Sequence, residues 1–222
     1  EAYLSSYEGC KNFLNIIKAK EINCKFINAS SCEIFAKTNK RLTVKSKKRP
    51  ISPYGRAKLL AFKLTKDYRE KSNLLTYNAI IFNTESIYRE RFFIIPKICL
   101  AAIGAYKKNT KTFFGDINIS REWNWCDEQV KFMLNFIDKK PQDFLLSNQK
   151  NYSAIEMIKF AFEYFGLDYK RYIFTKKKYI RPSDFKTKRS NAKKDFEKNK
   201  INYGYKVYGK KIIYNLIKYY LN

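Results

Sequence analysis

The sequence predicts an α/β fold, in which a parallel sheet is followed by a smaller mixed α/β region. Two short apolar segments, residues 25–29 and 76–82, have the length and composition of buried strands. Between them, the residues after Pro53 carry apolar side chains at helical spacing. Polar residues follow both strands, at 30–33 and 83–86. A strand, a helix and a strand in this order predict a parallel crossover, whose polar strand ends share one edge of the sheet.

Hydrophobic periodicity places the remaining elements of the chain. Ser153 and Glu156 form a capping-box pattern that opens a helix, and Gly166 ends that helix. A basic loop is predicted over residues 37–49. Further helices are predicted over residues 3–20, 96–106, 127–138, 191–198 and 210–221, and further strands over residues 111–114 and 143–147.

The net charge limits the classes of partner. The 222 residues carry a net charge of +26, from 46 Lys and Arg against 20 Asp and Glu. Such a balance suggests nucleic acid, an anionic surface or a phosphate-bearing ligand. Nucleic acid is disfavoured, because the lysines are scattered along the whole chain instead of gathered in a basic arm. With 45% hydrophobic and 17% aromatic residues, the chain has enough apolar material to bury a core.

Cysteine and histidine usage excludes several kinds of site. The sequence has five cysteines, an odd number, and no C-x-x-C motif. Neither a disulfide framework nor a zinc ribbon is therefore indicated. There is no histidine, which removes the commonest metal ligand and the usual triad base. No metal is predicted. The longest apolar stretch, residues 92–104, is interrupted by Lys97 and too short to span a bilayer, so no membrane partner is predicted.

Tyr54 and Lys58 form a chemically capable pair at the start of the helix after Pro53. They are four residues apart, so they share one face of its first turns. A lysine ammonium beside a phenol favours the phenolate, which is then usable as an acid or base near neutral pH. The same pair also fits a solvated helix face, since five-residue patterns match often by chance.

Several further motifs accompany this pair, in the order and spacing of a known family. They are A-S-S-C-E at 29–33, Y-x-x-x-K at Tyr54 and Lys58, Y-R-E at 68–70, F-N-T-E-S at 82–86, the segment 115–130 with Arg121, Trp123, Asp127 and Val130, and R-P-S-D at 181–184. Through these residues the chain resembles the extended short-chain dehydrogenase/reductases, and most closely the GDP-mannose 4,6-dehydratases. The match runs from about residue 3 to about residue 194, which no single short motif would produce.

The chain also departs from the family pattern. Ser31 occupies the position of the family's threonine and retains a hydroxyl group. Thr84 occupies the position of its histidine, and Asn124 and Trp125 occupy the positions of its Gly-His. The glycine-rich G-x-x-G-x-x-G turn that opens the family's first βα unit is not found in the 222 residues. We therefore expect that the chain begins midway through the family's first domain, and that these residues alone do not turn over substrate.

The resemblance implies a partial Rossmann-type parallel sheet with a smaller mixed α/β C-terminal substrate domain. Residues 1–90 would form the C-terminal half of the NADP-binding domain. Residues 91–222 would form the domain that binds a nucleotide sugar, with residues 127–150 packing back on the Rossmann sheet. The resemblance further implies a cytoplasmic enzyme that is a homo-oligomer when complete.

The family's reaction implies a role for each of four residues. A hydride leaves C4 of the mannose for NADP, water is lost across C5–C6, and the hydride returns to C6. Tyr54 as phenolate would remove the C4 hydroxyl proton, and Lys58 would support the phenolate and bind the nicotinamide ribose. Ser31 would bind the C4 oxygen. Glu33 would take the C5 proton and help protonate the departing C6 hydroxyl, a task that separates a dehydratase from an epimerase.

The resemblance also implies the binding residues for GDP-mannose or a related nucleotide sugar, and for NADP. Guanidinium groups meet phosphates in a bidentate way, which suits a diphosphate. The implied substrate residues are Asn83, Arg121, Arg181 and Asp184, and the implied cofactor residues are Tyr3, Tyr54, Lys58, Thr84 and Arg89.

Three alternatives remain open at this point. The chain is also compatible with another nucleotide-sugar epimerase or dehydratase, and Glu33 is also compatible with a solvated loop carboxylate. A rival of another class is an inactive fragment that binds nucleotide or nucleic acid through its basic charge. Such a remnant would bind DNA with a steep salt dependence and show no preference for nucleotide sugars.

Overall fold

The computed structural model describes residues 1–179 and 187–222. These residues divide into two compact units, each assembled from separate stretches of the chain. Unit 1 comprises residues 1–82, 129–149 and 190–204, and unit 2 comprises the described residues within 83–128, 150–189 and 205–222.

Helices account for the longest elements of both units. A π-helical turn, Leu4–Glu8, precedes the first helix, and short 3₁₀ turns occur at Cys32–Ile34, Tyr169–Arg171 and Lys177–Tyr179. The α-helices of the described residues are α1 (Gly9–Ala19), α2 (Pro53–Ser72), α3 (Ile94–Lys108), α4 (Cys126–Ile137), α5 (Ala154–Glu163), α6 (Lys193–Lys198) and α7 (Lys210–Leu221).

The strands are short and form several small sheets. They are β1 (Phe26–Ser31), β2 (Thr76–Ile81), β3 (Thr84–Glu85), β4 (Thr112–Phe114), β5 (Ser120–Arg121), β6 (Asn124–Trp125), β7 (Asp143–Leu146), β8 (Tyr152–Ser153) and β9 (Ile173–Thr175). Unit 1 holds the three-stranded sheet, and unit 2 holds three two-stranded ladders, in which β3 pairs with β6, β4 with β9 and β5 with β8.

The sheet of unit 1 is parallel and has the strand order β1-β2-β7. Ala29 of β1 lies opposite Ala79 of β2, which lies opposite Phe144 of β7. The predicted α/β fold and the parallel crossover are therefore confirmed. The first strand runs over Phe26–Ser31, so it extends two residues further than the predicted segment 25–29 and includes Ser31.

A polar network ties the sheet of unit 1 to helix α2. Arg69 of α2 places Nη2 2.7 Å from Oδ1 of Asp143 and donates from Nη1 to the Thr76 carbonyl at 3.0 Å. Asn78 in the central strand donates to the same Asp143 oxygen at 2.9 Å. Since both carboxylate and guanidinium are largely buried, this pair fixes the pairing of α2, β2 and β7.

Helix α1 covers one side of α2 through a narrow apolar stripe. Cys10 and Leu14 are buried and pack with Ala61 of α2. The periodicity of residues 3–20 also places Phe13 on the apolar stripe of this helix, but Phe13 is 65% exposed. The contact between α1 and α2 is small and involves only two to three side chains of α1. Phe13 therefore lies outside this contact.

The core of unit 2 lies between α3, α5 and α7. Ile98 of α3, Met157 and Ile158 of α5, and Leu216 of α7 are all fully buried in it. The predicted capping box is present at the start of α5, where Ser153 and Glu156 satisfy each other's backbone N–H groups. Phe114 of β4 and Ile173 of β9 are buried in the same core, which connects this pair of strands to the helices.

Candidate functional site

Helix α2 begins where the sequence places a cap and a proline. The Ser52 side chain accepts the backbone N–H of Gly55 at 3.0 Å, and Pro53 occupies the first helical position. The helix ends at Ser72, and the left-handed backbone of the capping residue Asn73 closes its last turn. This start places Tyr54 on the first turn, where its side chain is 44% exposed.

The first turn of α2 lies directly against the turn that follows β1. Gly55 is buried there, and a Cβ built on it would lie 2.6 Å from the Glu33 carbonyl oxygen and 2.9 Å from Cβ of Pro50. Only a residue without a side chain permits this approach. The close backbone contact thus brings Tyr54 and Glu33 to the same end of β1.

Lys58 reaches from α2 to the last residues of β1. Its Nζ donates to the Ala29 carbonyl at 3.0 Å and lies 5.7 Å from the centroid of the Tyr54 ring. Burial lowers the pKa of the Lys58 ammonium, and the nearby Cys10 thiol raises it in partial compensation. The lysine is therefore anchored on the strand while it lies beside the phenol ring.

Ser31 and Glu33 complete this end of the strand. Ser31 is the last residue of β1, and its Oγ accepts the backbone N–H of Glu33 at 3.2 Å. That bond caps the 3₁₀ turn Cys32–Ile34 and sets the direction of the chain after the strand. The structure thus brings Ser31, Glu33, Tyr54 and Lys58 to the carboxyl end of one parallel strand, where open α/β sheets place their ligands.

Tyr3 lies at the start of unit 1. It is 48% exposed, it precedes the π-helical turn, and its ring centroid is 5.1 Å from that of Tyr7. Its predicted contact with a cofactor remains a prediction.

Three of the predicted residues lie together at the start of unit 2. The Asn83 carbonyl accepts two N–H groups of Asn124, from the backbone at 2.8 Å and from the side chain at 3.0 Å. Thr84 follows in β3 and pairs with Asn124 of β6. Arg89 lies in the turn after β3, with its guanidinium carbon 3.6 Å from the centroid of the Phe93 ring. Asn83 and Thr84 are therefore held by β6, and Arg89 packs on the Phe93 ring.

Arg121 has a different environment from an ordinary surface arginine. It lies in β5, is 6% exposed and donates from Nη1 to the Ser120 carbonyl at 2.9 Å. Trp123, two residues further along the chain, is fully buried and belongs to the core of unit 2. Arg181 and Asp184 lie outside the described residues, so their predicted contacts with substrate remain predictions.

Two residues close to the predicted site residues were not predicted from the sequence to have a role there. Cys10 is buried beside Thr65, at 3.5 Å between Sγ and Oγ1, and influences Lys58 from there. Glu85 is 2% exposed, although a glutamate in a polar motif would be expected at the surface. The F-N-T-E-S pattern contains Glu85, but nothing local in it indicates burial.

The described ranges contain neither a metal-binding cluster nor a membrane-spanning helix. Across residues 1–179 and 187–222, no group of three or more His, Cys, Asp or Glu side chains is arranged to hold a metal ion. None of the helices in these ranges is long and apolar enough to cross a lipid bilayer. The five cysteines are free thiols.

A family model described as GDP-mannose 4,6 dehydratase matches residues 2–214 of the chain. The protein "GDP-mannose 4,6 dehydratase 1" of Arabidopsis thaliana is 32% identical over 205 residues, which cover 89% of this chain and 55% of that protein. The human "GDP-mannose 4,6 dehydratase" is 30% identical over 148 residues, or 64% of this chain and 39% of that protein. The chain thus spans about half the length of the curated relatives it matches.

Solved structures show the same fold at lower identity. One is a dTDP-glucose 4,6-dehydratase from Bacillus anthracis in complex with NAD, with a TM-score of 0.85 at 16% identity over 99% of this chain and 68% of that one. Another is RMD from Pseudomonas aeruginosa complexed with NADPH, with a TM-score of 0.85 at 14% identity over 97% of this chain and 72% of that one.

Proposed function

The chain belongs to the GDP-mannose 4,6-dehydratase family, and we propose that it supplies the acid–base groups that convert GDP-mannose to GDP-4-keto-6-deoxymannose. The observation that carries the proposal is the grouping of Ser31, Glu33, Tyr54 and Lys58 around the carboxyl end of β1. Because the chain spans about half the length of its relatives, the proposal concerns the part these residues play in a complete enzyme.

The residues at this edge fit a nicotinamide dinucleotide. An ammonium has three N–H groups, and one of those on Lys58 is given to the Ala29 carbonyl, so two remain for a ribose hydroxyl and the Tyr54 oxygen. Tyr3, Thr84 and Arg89 are the further residues we assign to this ligand, and NADP is the form we propose. When bound, the nicotinamide takes a hydride from C4 of the sugar and later returns it to C6.

Tyr54 and Lys58 act on the C4 hydroxyl. Tyr54 in its phenolate form accepts the hydroxyl proton, and the Lys58 charge beside the ring favours that form. Anchoring on Ala29 keeps the charge in place, so little reorganisation is needed during the reaction. Ser31 uses its oxygen to accept the Glu33 N–H, which leaves its own O–H to donate to the C4 oxygen.

Glu33 performs the step that makes the reaction a dehydration. A ketone at C4 acidifies the C5 proton, and the Glu33 carboxylate removes it. The C6 hydroxyl then takes up a proton and leaves as water, so a C5–C6 double bond forms. When C6 has regained its hydride, C5 receives a proton and the 4-keto-6-deoxy sugar is complete. The contact of Gly55 with the Glu33 carbonyl supports this role, because it fixes the glutamate at the strand end.

The remaining assignments concern binding. We assign residues 1–90 to the C-terminal half of the cofactor domain and residues 91–222 to the substrate domain, with residues 127–150 packing on the sheet. The pairing of β7 with β2 supports the last assignment. Asn83, Arg121, Arg181 and Asp184 are the residues we propose for the nucleotide sugar.

The test is an assay on a completed chain, in which a segment that contains a glycine-rich dinucleotide-binding turn precedes these 222 residues. Such a turn supplies the backbone N–H groups that usually hold a dinucleotide pyrophosphate. We expect the completed chain to form the 4-keto-6-deoxy product from GDP-mannose and NADP, and the 222 residues alone to form none. A completed chain that is folded and binds NADP but yields no product would refute the catalytic assignment. Turnover by the 222 residues alone would refute the need for the added part.

A further inference from the structure

Glu85 and Arg89 form an unusual buried pair within unit 2. Glu85 is 2% exposed, and its Oε2 lies 4.0 Å from Nε of Arg89. That separation is longer than a hydrogen bond, and among the described residues neither atom has a hydrogen-bond partner. A buried carboxylate oxygen without a hydrogen bond is costly in its charged form, so the environment of Oε2 favours the neutral acid.

Among the described residues, the titratable groups that interact with Glu85 are Arg89, Cys99 and Tyr220. Cys99 of α3 is fully buried, and burial raises the pKa of its thiol, which therefore stays neutral. Tyr220 of α7 is likewise neutral, because burial raises the pKa of its phenol, and Arg91 acts on this phenol in the opposite direction. Arg89 is thus the cation that faces the Glu85 carboxyl.

Burial also raises the pKa of Glu85, to about 8, although Arg89 lowers it in part. At neutral pH the carboxyl is therefore mostly protonated, and the positive charge of Arg89 is not compensated by it. The Arg89 side chain is 33% exposed as a whole, while its Nε is buried and faces the acid and its guanidinium carbon lies 3.6 Å from the centroid of the Phe93 ring. An uncompensated, partly exposed guanidinium is a strong group for binding phosphate.

We infer that Glu85 is a proton-dependent positioning residue, which as a neutral acid leaves Arg89 free to bind a phosphate group of the dinucleotide and as a carboxylate withdraws it. This inference rests on the cofactor-binding role proposed for Arg89. Ionisation of Glu85 draws Nε into an ion pair and adds a negative charge beside the ligand. Binding of the phosphate and binding of the proton therefore favour each other.

The test measures affinity against pH by calorimetry on the completed chain, with NADP, GDP-mannose and inorganic pyrophosphate as separate probes. For NADP we expect a roughly tenfold loss of affinity between pH 7 and pH 9, because the protonated fraction of an acid with a pKa near 8 falls about tenfold over that range. Glu85→Gln keeps the shape of the neutral acid and does not ionise. The affinity of this variant for NADP at pH 6.5 should equal the wild-type value. Between pH 7 and pH 9 that affinity should change by less than about twofold, after correction for the ionisation of NADP itself.

Two further variants identify the anion-binding group. Arg89→Met should weaken NADP and pyrophosphate binding about tenfold or more at pH 7 and remove the pH dependence. Lys107→Met removes the same charge from an exposed position of α3 and should leave affinity within about twofold. These readouts need no turnover, so they remain decisive if the proposed reaction fails.

Several outcomes would overturn the inference. One is an equal pH dependence in the wild type and in folded Glu85→Gln. Another is a large loss of affinity in Glu85→Gln at pH 6.5, since it would mean that the carboxylate itself is needed. An effect of Arg89→Met on GDP-mannose and not on NADP would overturn the assignment to the dinucleotide.

Discussion

Gly55 and Glu33 are in backbone contact, and this contact joins the first turn of α2 to the end of β1. A Cβ at residue 55 would lie 2.6 Å from the Glu33 carbonyl oxygen, closer than real Cβ atoms approach. The candidate acid–base groups Tyr54 and Glu33 flank this contact. Their relative position therefore depends on the absence of a side chain at one residue.

The first prediction is that Gly55→Ala destabilises unit 1 and displaces the candidate site. The added methyl forces the helix start away from the strand end, at a cost of about 1–3 kcal/mol. Urea unfolding followed by circular dichroism measures the change. Gly9→Ala in α1 is the matched control, because its Cβ would lie 3.7 Å from the nearest atom, an ordinary contact. Equal effects of the two substitutions would contradict the prediction.

The second prediction concerns the pair of Arg69 and Asp143. Arg69→Met leaves the Asp143 carboxylate buried without its guanidinium, so we expect a loss of about 3 kcal/mol in the free energy of unfolding. Lys71→Met is the control, since Lys71 pairs with Asp67 at 3.7 Å on an exposed face. This substitution should change the free energy of unfolding by less than about 1 kcal/mol. Indistinguishable unfolding curves for the two variants would show that the buried pair does not hold the sheet to α2.

The third prediction concerns the pH dependence of stability. The pKa of Glu85 is raised from 4.5 to about 8 in the folded chain, so the folded state binds more protons than the unfolded state between these values. Stability should therefore fall as the pH rises from about 4.5 to about 8, by on the order of 2–4 kcal/mol, and level off above that. Glu85→Gln should lack this contribution. Urea unfolding of the wild type and of Glu85→Gln at pH 5 and pH 8 measures this contribution. An identical pH dependence of stability in the two proteins would rule out the contribution of Glu85.

The parallel crossover was predictable from the sequence, because its signals are local. Strand length, helical periodicity and the Ser52-Pro53 start are all written in short stretches of the chain. The proximity of Tyr54 and Lys58 also follows from helical spacing, and the structure places the Lys58 Nζ 5.7 Å from the centroid of the Tyr54 ring.

Other features depend on contacts between distant residues and had no local signal. The strand 143–146 lies next to β2, and Arg69 reaches Asp143 across 74 positions of the chain. The burial of Glu85 depends on α3 and α7, which come later in the sequence. Phe13 matches a helical apolar stripe but has no partner element broad enough to cover it.

The most direct test of the account follows the conversion of GDP-mannose by the completed chain in deuterated water. The predicted product has lost one water and carries one solvent-derived deuterium at C5, because Glu33 exchanges its proton with solvent before C5 is protonated. Glu33→Gln should form none of this product while still binding NADP, and Glu21→Gln, at an exposed position of the same unit, should form it normally. A product isomeric with GDP-mannose, or continued water loss in Glu33→Gln, would contradict the central claim that this chain carries the groups of a 4,6-dehydratase.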